Sequence, residues 1–296
     1  MPLSNHPLRG PLYMAIATLS FVINDTFMKL ATDGLPPFEV LMLRGVAASL
    51  WCFPMVILMG LGPQLKLMFH PRIVVRNLGE LGAVLFYVVA LANLPIADTI
   101  ALAQMTPLLV ILGAAIIWRE PVGALRWALI GLGFIGALMV AQPSVNGISV
   151  FSAMALMSAV MTSIRDMVSR TVPPQIPGMI VAASAIVIVF LGASVAHGIS
   201  ERFVVPEPRH ILYLLGSGLF LIGGHFFIFT TYRVGPAALV APFMYLFSFW
   251  AVISGIVVFW QFPNALALAG MLVVVGSGLA VARLHRPDKV AEVPIA

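Results

Sequence analysis

Eight polar side chains sit deep inside otherwise apolar stretches of this 296-residue chain: Asn24, Asp25, Arg44, Asn77, Glu80, Gln104, His225 and Tyr245. Their types suit binding a solute better than making bonds. Asp25 and Arg44 carry opposite charges, and either fix helix register as a buried pair or contact a charged solute. Lys29, one helical turn from Asp25, competes as its partner or snorkels to a surface. Glu80 follows Arg76 by one turn, which suits an i,i+4 pair, while the carboxylate itself is a candidate proton or cation site with Asn77 beside it. His225 is a hydrogen-bonded packing residue or a proton carrier. Tyr245, with Phe247, Phe249 and Trp250, makes core packing or a stacking and cation–π wall for a flat or cationic solute. Arg165, Asp166 and Arg170 repeat the Arg76–Glu80 pattern and read as structural.

Catalysis has weaker support. Ser217 lies about two turns from His225 on one helix, too far for a Ser–His hydrogen bond. There is no two-histidine metal motif and no phosphate loop, so no metal, cofactor or built-in ATP site is expected. A channel would need a ring of like charges or a filter sequence, and neither is visible.

The composition says what must hold these residues. Hydrophobic residues make up 61% of the chain and charged residues 9%, against roughly 25% charged in a soluble domain. A helical span needs about 20 apolar residues. Ten such stretches use nearly the whole chain: 11–32, 37–59, 73–93, 96–118, 123–141, 148–170, 178–198, 211–232, 236–258 and 264–283. Turn chemistry separates them at Asp33-Gly34-Leu35-Pro36-Pro37, Leu61-Gly62-Pro63, Pro143-Ser144-Val145-Asn146-Gly147, Pro173-Pro174 and Gly235-Pro236. The tight joint at Asn93-Leu94-Pro95 makes nine spans the competing count. The run after Arg9 is long, polar within and lacks a cleavage site, so it reads as a retained first helix. Cys52 stands alone in an apolar stretch, which leaves no internal disulfide.

The net charge of +5 is unevenly placed. Arg9, Lys66, Arg72, Arg76, Arg119, Arg126, Arg165, Arg170, Arg233, Arg283, Arg286 and Lys289 fall on one side, and Arg202 and Arg209 on the other. The positive-inside rule puts the rich side, and both termini, in the cytoplasm of a bacterial-type inner membrane. Nine spans would break that alternation, which favours ten. The rule also accounts for the basic excess, so no nucleic-acid partner is expected. At ~1.5 Å per residue, Asp25 lies about 10 Å and Arg44 about 12 Å from the outer edge, close enough in depth to meet, and Glu80 lies about 11 Å from the inner edge.

The ten spans divide into two fives. Leu94-Pro95-Ile96-Ala97 opens span four and Trp118-Arg119-Glu120-Pro121 closes it; Gly235-Pro236-Ala237-Ala238 opens span nine and Trp260-Gln261-Phe262-Pro263 closes it. Glycine-bearing spans follow, with Gly131, Gly133 and Gly136, then Gly270, Gly276 and Gly278. Five helices begin and end on opposite faces of a membrane, so a second five is inverted. With Pro107-Leu108 in mid-helix and Glu120 at the helix end, the segment 94–121 resembles the EamA-type members of the drug/metabolite transporter superfamily. Phe262 stands where the second copy would carry the glutamate. The resemblance implies an all-α membrane protein of ten transmembrane helices as a 5+5 inverted-topology repeat. The first EamA-like repeat would be 1–143, the second 144–285 and a cytoplasmic tail 286–296. It also implies a central cavity lined by spans one, three, four, six, eight and nine.

Pro54, Pro107 and Pro242 interrupt spans two, four and nine, and each frees a carbonyl one turn back. In spans four and nine such kinks suit gates. Small pairs such as Gly133/Ala137 and Gly276/Ala280 suit close helix packing. The expectation is a secondary transporter or facilitator of an amino-acid-like, zwitterionic or cationic metabolite, acting as a monomer or homodimer with protons as a candidate coupling ion. A lipid or lipid-linked-sugar translocator, or an intramembrane enzyme, is the alternative.

Overall fold

The computed structural model describes residues 9–117, 123–142, 148–169, 171–234 and 241–284. Eleven α-helices fill those segments: α1 (Arg9–Ala31), α2 (Pro37–Leu58), α3 (Pro71–Asn93), α4 (Ile96–Ala103), α5 (Thr106–Ile117), α6 (Ala124–Ala141), α7 (Val150–Ser169), α8 (Gly178–Ser200), α9 (Pro208–Val234), α10 (Leu246–Phe259) and α11 (Ala265–Leu284). Proline sets several starts. Pro37 and Pro71 occupy the first turn of α2 and α3, where the missing N–H costs nothing and φ is already helical. Gly34 turns the chain from α1 into α2 at φ +115°, a conformation that other residues adopt only under strain.

Among the described residues, six segments are long and apolar enough to cross a membrane: Arg9–Ala31, Pro37–Leu58, Pro71–Asn93, Ile96–Gly113, Gly178–Ser200 and Pro208–Thr231. Shorter apolar helices run through Trp127–Ala141, Phe243–Phe259 and Ala265–Ala280. Large apolar side chains such as Leu50, Leu58, Leu191, Val195, Leu212, Val257 and Leu272 face outward. In water that surface would be a liability; against lipid it is the expected one.

Long-range packing pairs α1 with α9, α3 with α7, α2 with α8, α6 with α11, and α4 with α10. Small residues let the backbones approach. A Cβ on Gly136 would lie 2.9 Å from the Gly270 carbonyl oxygen, and one on Gly270 would lie 2.7 Å from that of Gly136. At the end of the same pair, Gln142 and Asn264 exchange amide hydrogen bonds of 2.9 and 3.1 Å. Gly276 has open space around its Cβ direction, so the anticipated Gly276/Ala280 pair is not a contact point; Gly270 takes that role.

Span four is not one kinked helix. α4 stops at Ala103, Gln104 and Met105 form a turn, and α5 restarts with Pro107 in its first turn. The proline's missing N–H falls where a new helix has none to satisfy. A 3₁₀ turn at Ala241–Tyr245 leads into α10. The echoed motifs at 118–121 and 235–238, the turn at 143–147, and Arg170, Arg286 and Lys289 lie outside the described residues.

Candidate functional site

α2, α3, α8 and α9 enclose a two-part cavity. The outermost part, about 340 Å³, is lined by Arg76, Ser169, Pro173, Ile176, Ala182 and His225 among others. It lies where α3 and α8 begin and α7 ends. A smaller chamber of about 40 Å³ shares Ala182 and His225 with it and adds Arg44, Glu80, Val84 and Leu221. Its α8 wall runs from Ala182 to Val189, so it reaches further toward the Glu201 end of the helix. The lining comes from spans two, three, seven and eight with the end of span six, so spans three, six and eight of the expected set take part, while the described residues of spans one, four and nine line neither part.

Of the anticipated residues, Arg44, Glu80 and His225 meet in the chamber. Glu80 is saturated. Its Oε2 accepts from Arg76 Nη1 at 3.0 Å and from Arg165 Nη1 at 2.8 Å. Arg165 also holds Asp166 Oδ1 at 2.6 Å, and with Glu80 it bridges α7 to α3. Two guanidiniums on one carboxylate favour its ionised form. Asn77 is fully buried; its Oδ1 accepts from Arg76 Nη1 at 2.6 Å, and its Nδ2 has no partner. His225 Nδ1 lies 2.8 Å from the Leu221 carbonyl oxygen, and Phe21 packs edge-on against the ring.

Asn24 and Asp25 are buried in an adjoining network. Tyr87 Oη donates to Asp25 Oδ2 at 2.7 Å, Asn24 Nδ2 to Asp25 Oδ1 at 2.9 Å, and Ser217 Oγ to Asn24 Oδ1 at 2.8 Å. No ion pair joins Asp25 to Arg44. Arg44 Nη1 instead donates to Met28 Sδ at 2.9 Å. Lys29 is no partner of Asp25 either. Its Nζ donates to the Leu91 and Leu94 carbonyls, both at 2.6 Å, at the C-terminus of α3. Carbonyls orphaned at a helix end attract a cation, and this one is also 5.7 Å from the Phe259 ring. Gln104 and Tyr245 line neither part of the cavity. Gln104 Nε2 is 3.5 Å from the Met244 carbonyl oxygen, which joins the two interrupted segments. Tyr245 is buried against Gly278, so its ring is packing, not a solute wall.

Opposite the wide opening, the chain is clasped shut. Glu201 accepts from the amides of Phe38 and Glu39 at 3.1 and 3.0 Å, capping the N-terminus of α2 from the end of α8. Glu39 answers by accepting from the Val204 amide at 2.9 Å. His197 Nδ1 lies 3.0 Å from Glu201, and His210 Nε2 lies 3.0 Å from the Asp33 carbonyl. Two connections, α1–α2 and α8–α9, are thereby tied together.

Sequence reasoning missed Tyr87, Met28 and the Glu39–Glu201 clasp. The count that placed Asp25 would have placed Tyr87 about 9 Å from the Asn93 end of its helix, at matching depth. Met28 and Glu201 left no such signal, because a methionine in an apolar run and a glutamate in a connection are ordinary.

Residues 8–142 match the model of the EamA-like transporter family. The chain is 28% identical over 286 residues to a pseudopaline exporter of Pseudomonas aeruginosa, covering 94% of this chain and 97% of that one. It is 26% identical over 280 residues to a riboflavin transporter of Vibrio cholerae, covering 93% of each. A third relative, an S-adenosylmethionine uptake transporter of Rickettsia prowazekii, is 22% identical over 282 residues, covering 93% of this chain and 92% of the relative. A solved crystal structure aligns with TM-score 0.65 at 23% identity, over 93% of this chain and 97% of that chain, a likeness of fold.

Proposed function

We propose that the chain, whose residues 8–142 match the EamA-like transporter family and whose relatives include small-molecule transporters, is a multi-pass member of the drug/metabolite transporter superfamily that carries a small organic metabolite by alternating access between two inverted halves. The observation that carries this reading is a cavity open at one end and clasped at the other. A channel would need a continuous path; a carrier needs one end closed while the other is open.

The helix pairing supports the 5+5 repeat with halves 1–143 and 144–285. If α4 and α5 count as span four, and the 3₁₀ turn with α10 as span nine, the halves can be exchanged span for span. The α1–α9 contact then becomes the α7–α3 contact, and α2–α8, α6–α11 and α4–α10 map onto themselves. The break at Gln104 and the 3₁₀ turn at Ala241–Tyr245 fall in corresponding spans. By the positive-inside rule the wide opening faces the cytoplasm and the clasp faces outward.

The solute class we favour is amino-acid-like or zwitterionic, with a purely cationic one less supported because Glu80 and Asp25 already have partners. Lipid or lipid-linked-sugar movement is the second reading of the same fold, and the small inner chamber speaks against it. Ser217 is engaged with Asn24, which removes the serine that invited an enzyme reading.

The test is reconstitution. Vesicles containing the purified chain are loaded with a mixture of amino acids and small organic acids, and mass spectrometry follows both compartments. Protein-dependent passage of an unaltered solute is expected. Passage of none, or arrival only of a chemically changed product, overturns the proposal. An imposed pH gradient that changes the flux assigns proton coupling; indifference assigns facilitated diffusion.

A further inference from the structure

Resting on the transport reading, we propose that Arg44 is the anchor for a carboxylate of the solute, which enters the cavity carboxylate first. Arg44 is 7% exposed and lines the inner chamber. Its one hydrogen bond runs from Nη1 to the thioether sulfur of Met28 at 2.9 Å. A thioether is a weak, uncharged acceptor. The buried guanidinium therefore has no counter-ion within bonding distance.

The neighbouring acids are committed elsewhere. Asp25 is held by Tyr87 and Asn24, and Glu80 by Arg76 and Arg165. What remains is the Nε–Nη2 edge of Arg44. Two parallel N–H donors in one plane are the geometry a carboxylate accepts bidentately.

Size selects the group as well as charge. About 40 Å³ holds roughly two to three water-sized groups, which suits a three-atom carboxylate. The rest of that wall is apolar apart from His225 and Glu80, whose Oε2 is already held by Arg76 and Arg165, so Arg44 is the chamber's cation with no carboxylate within bonding distance. The body of the solute would extend past Ala182 and His225, the residues common to both parts, into the wider space of about 340 Å³. His225 Nδ1 is taken by the Leu221 carbonyl, which leaves Nε2 as the polar atom at that neck.

The probes are 4-methylpentanoate and leucine against their amides, 4-methylpentanamide and leucinamide, read by thermal unfolding of the full chain in detergent. Both carboxylates are expected to raise the apparent Tm and the amides to leave it unchanged. Arg44→Gln should lose the shift while remaining monodisperse. Arg44→Lys keeps the charge without the planar fork, and should need about tenfold more carboxylate for the same shift. Equal shifts from acid and amide, a shift that survives Arg44→Gln, or no shift from either carboxylate overturns the proposal. If Arg44→Gln does not fold, Arg44→Lys decides alone, and an unchanged half-saturating concentration overturns it. Arg44-dependent stabilisation without flux in vesicles would keep the anchor and remove the transport reading; flux without that acid preference would do the reverse.

Discussion

Glu80 shows how one contact changes a residue's role. On its own, a carboxylate deep in an apolar helix is an expensive group that invites a proton or a cation. Arg76 and Arg165 turn it into the joint between α3 and α7. Arg165→Met should therefore lower stability by about 1–3 kcal/mol, because the carboxylate loses one charged donor in a partly buried site. Thermal unfolding checks this, and adding Glu80→Gln should recover part of the loss; an unchanged Tm would mean the bridge carries no weight. Tyr87→Phe removes one donor to Asp25 and should cost about 1 kcal/mol by the same measurement. The Arg76–Glu80 pair was legible from spacing alone, since i,i+4 neighbours on a helix must face each other. Arg165 was not, because its contact depends on which helix lies beside α3.

At the scale of elements, the two ends of the cavity are governed by different chemistry. The clasp places Glu201 on the amides at the N-terminus of α2, a favourable site for a negative charge worth about 0.3–1 kcal/mol. Glu201→Ala should raise hydrogen exchange at Phe38 and Glu39 by about two- to fivefold, as that range implies. Unaltered exchange would show that the capping bonds do not hold the end shut. The α6–α11 seam depends instead on the absence of side chains. Gly270→Ala puts a methyl 2.7 Å from the Gly136 carbonyl oxygen, and overpacking of this kind costs about 1–3 kcal/mol. A loss of folded yield or Tm is expected. Most helix limits were readable from proline and glycine, whose backbone chemistry is local. The break at Gln104–Met105 was read as a kink, because Pro107 marks a lost hydrogen bond without saying whether the helix bends or restarts.

For the whole molecule, the proposed orientation and motion make separate demands. With Cys52 replaced by serine, a cysteine at Val205 should react with an impermeant thiol reagent on intact cells, and one at Val172 only after permeabilisation. The opposite pattern would invert the topology. Asp25→Asn and Arg44→Ala should each lower uptake in proteoliposomes while leaving folded protein measurable. Unchanged transport by both would remove these residues from the mechanism.

By itself the sequence determined the solvent this protein folds in, the approximate helices and the few polar groups at membrane depth. Each of these follows from composition, periodicity and local backbone chemistry. Tertiary structure alone decided the partners. Asp25 faces Tyr87 and not Arg44, Lys29 caps α3, and Glu80 takes a second arginine. A helix presents every face to the reader of a sequence, and only packing against particular neighbours chooses which charges meet. That choice left Arg44 facing the cavity with a sulfur atom as its one hydrogen-bond partner.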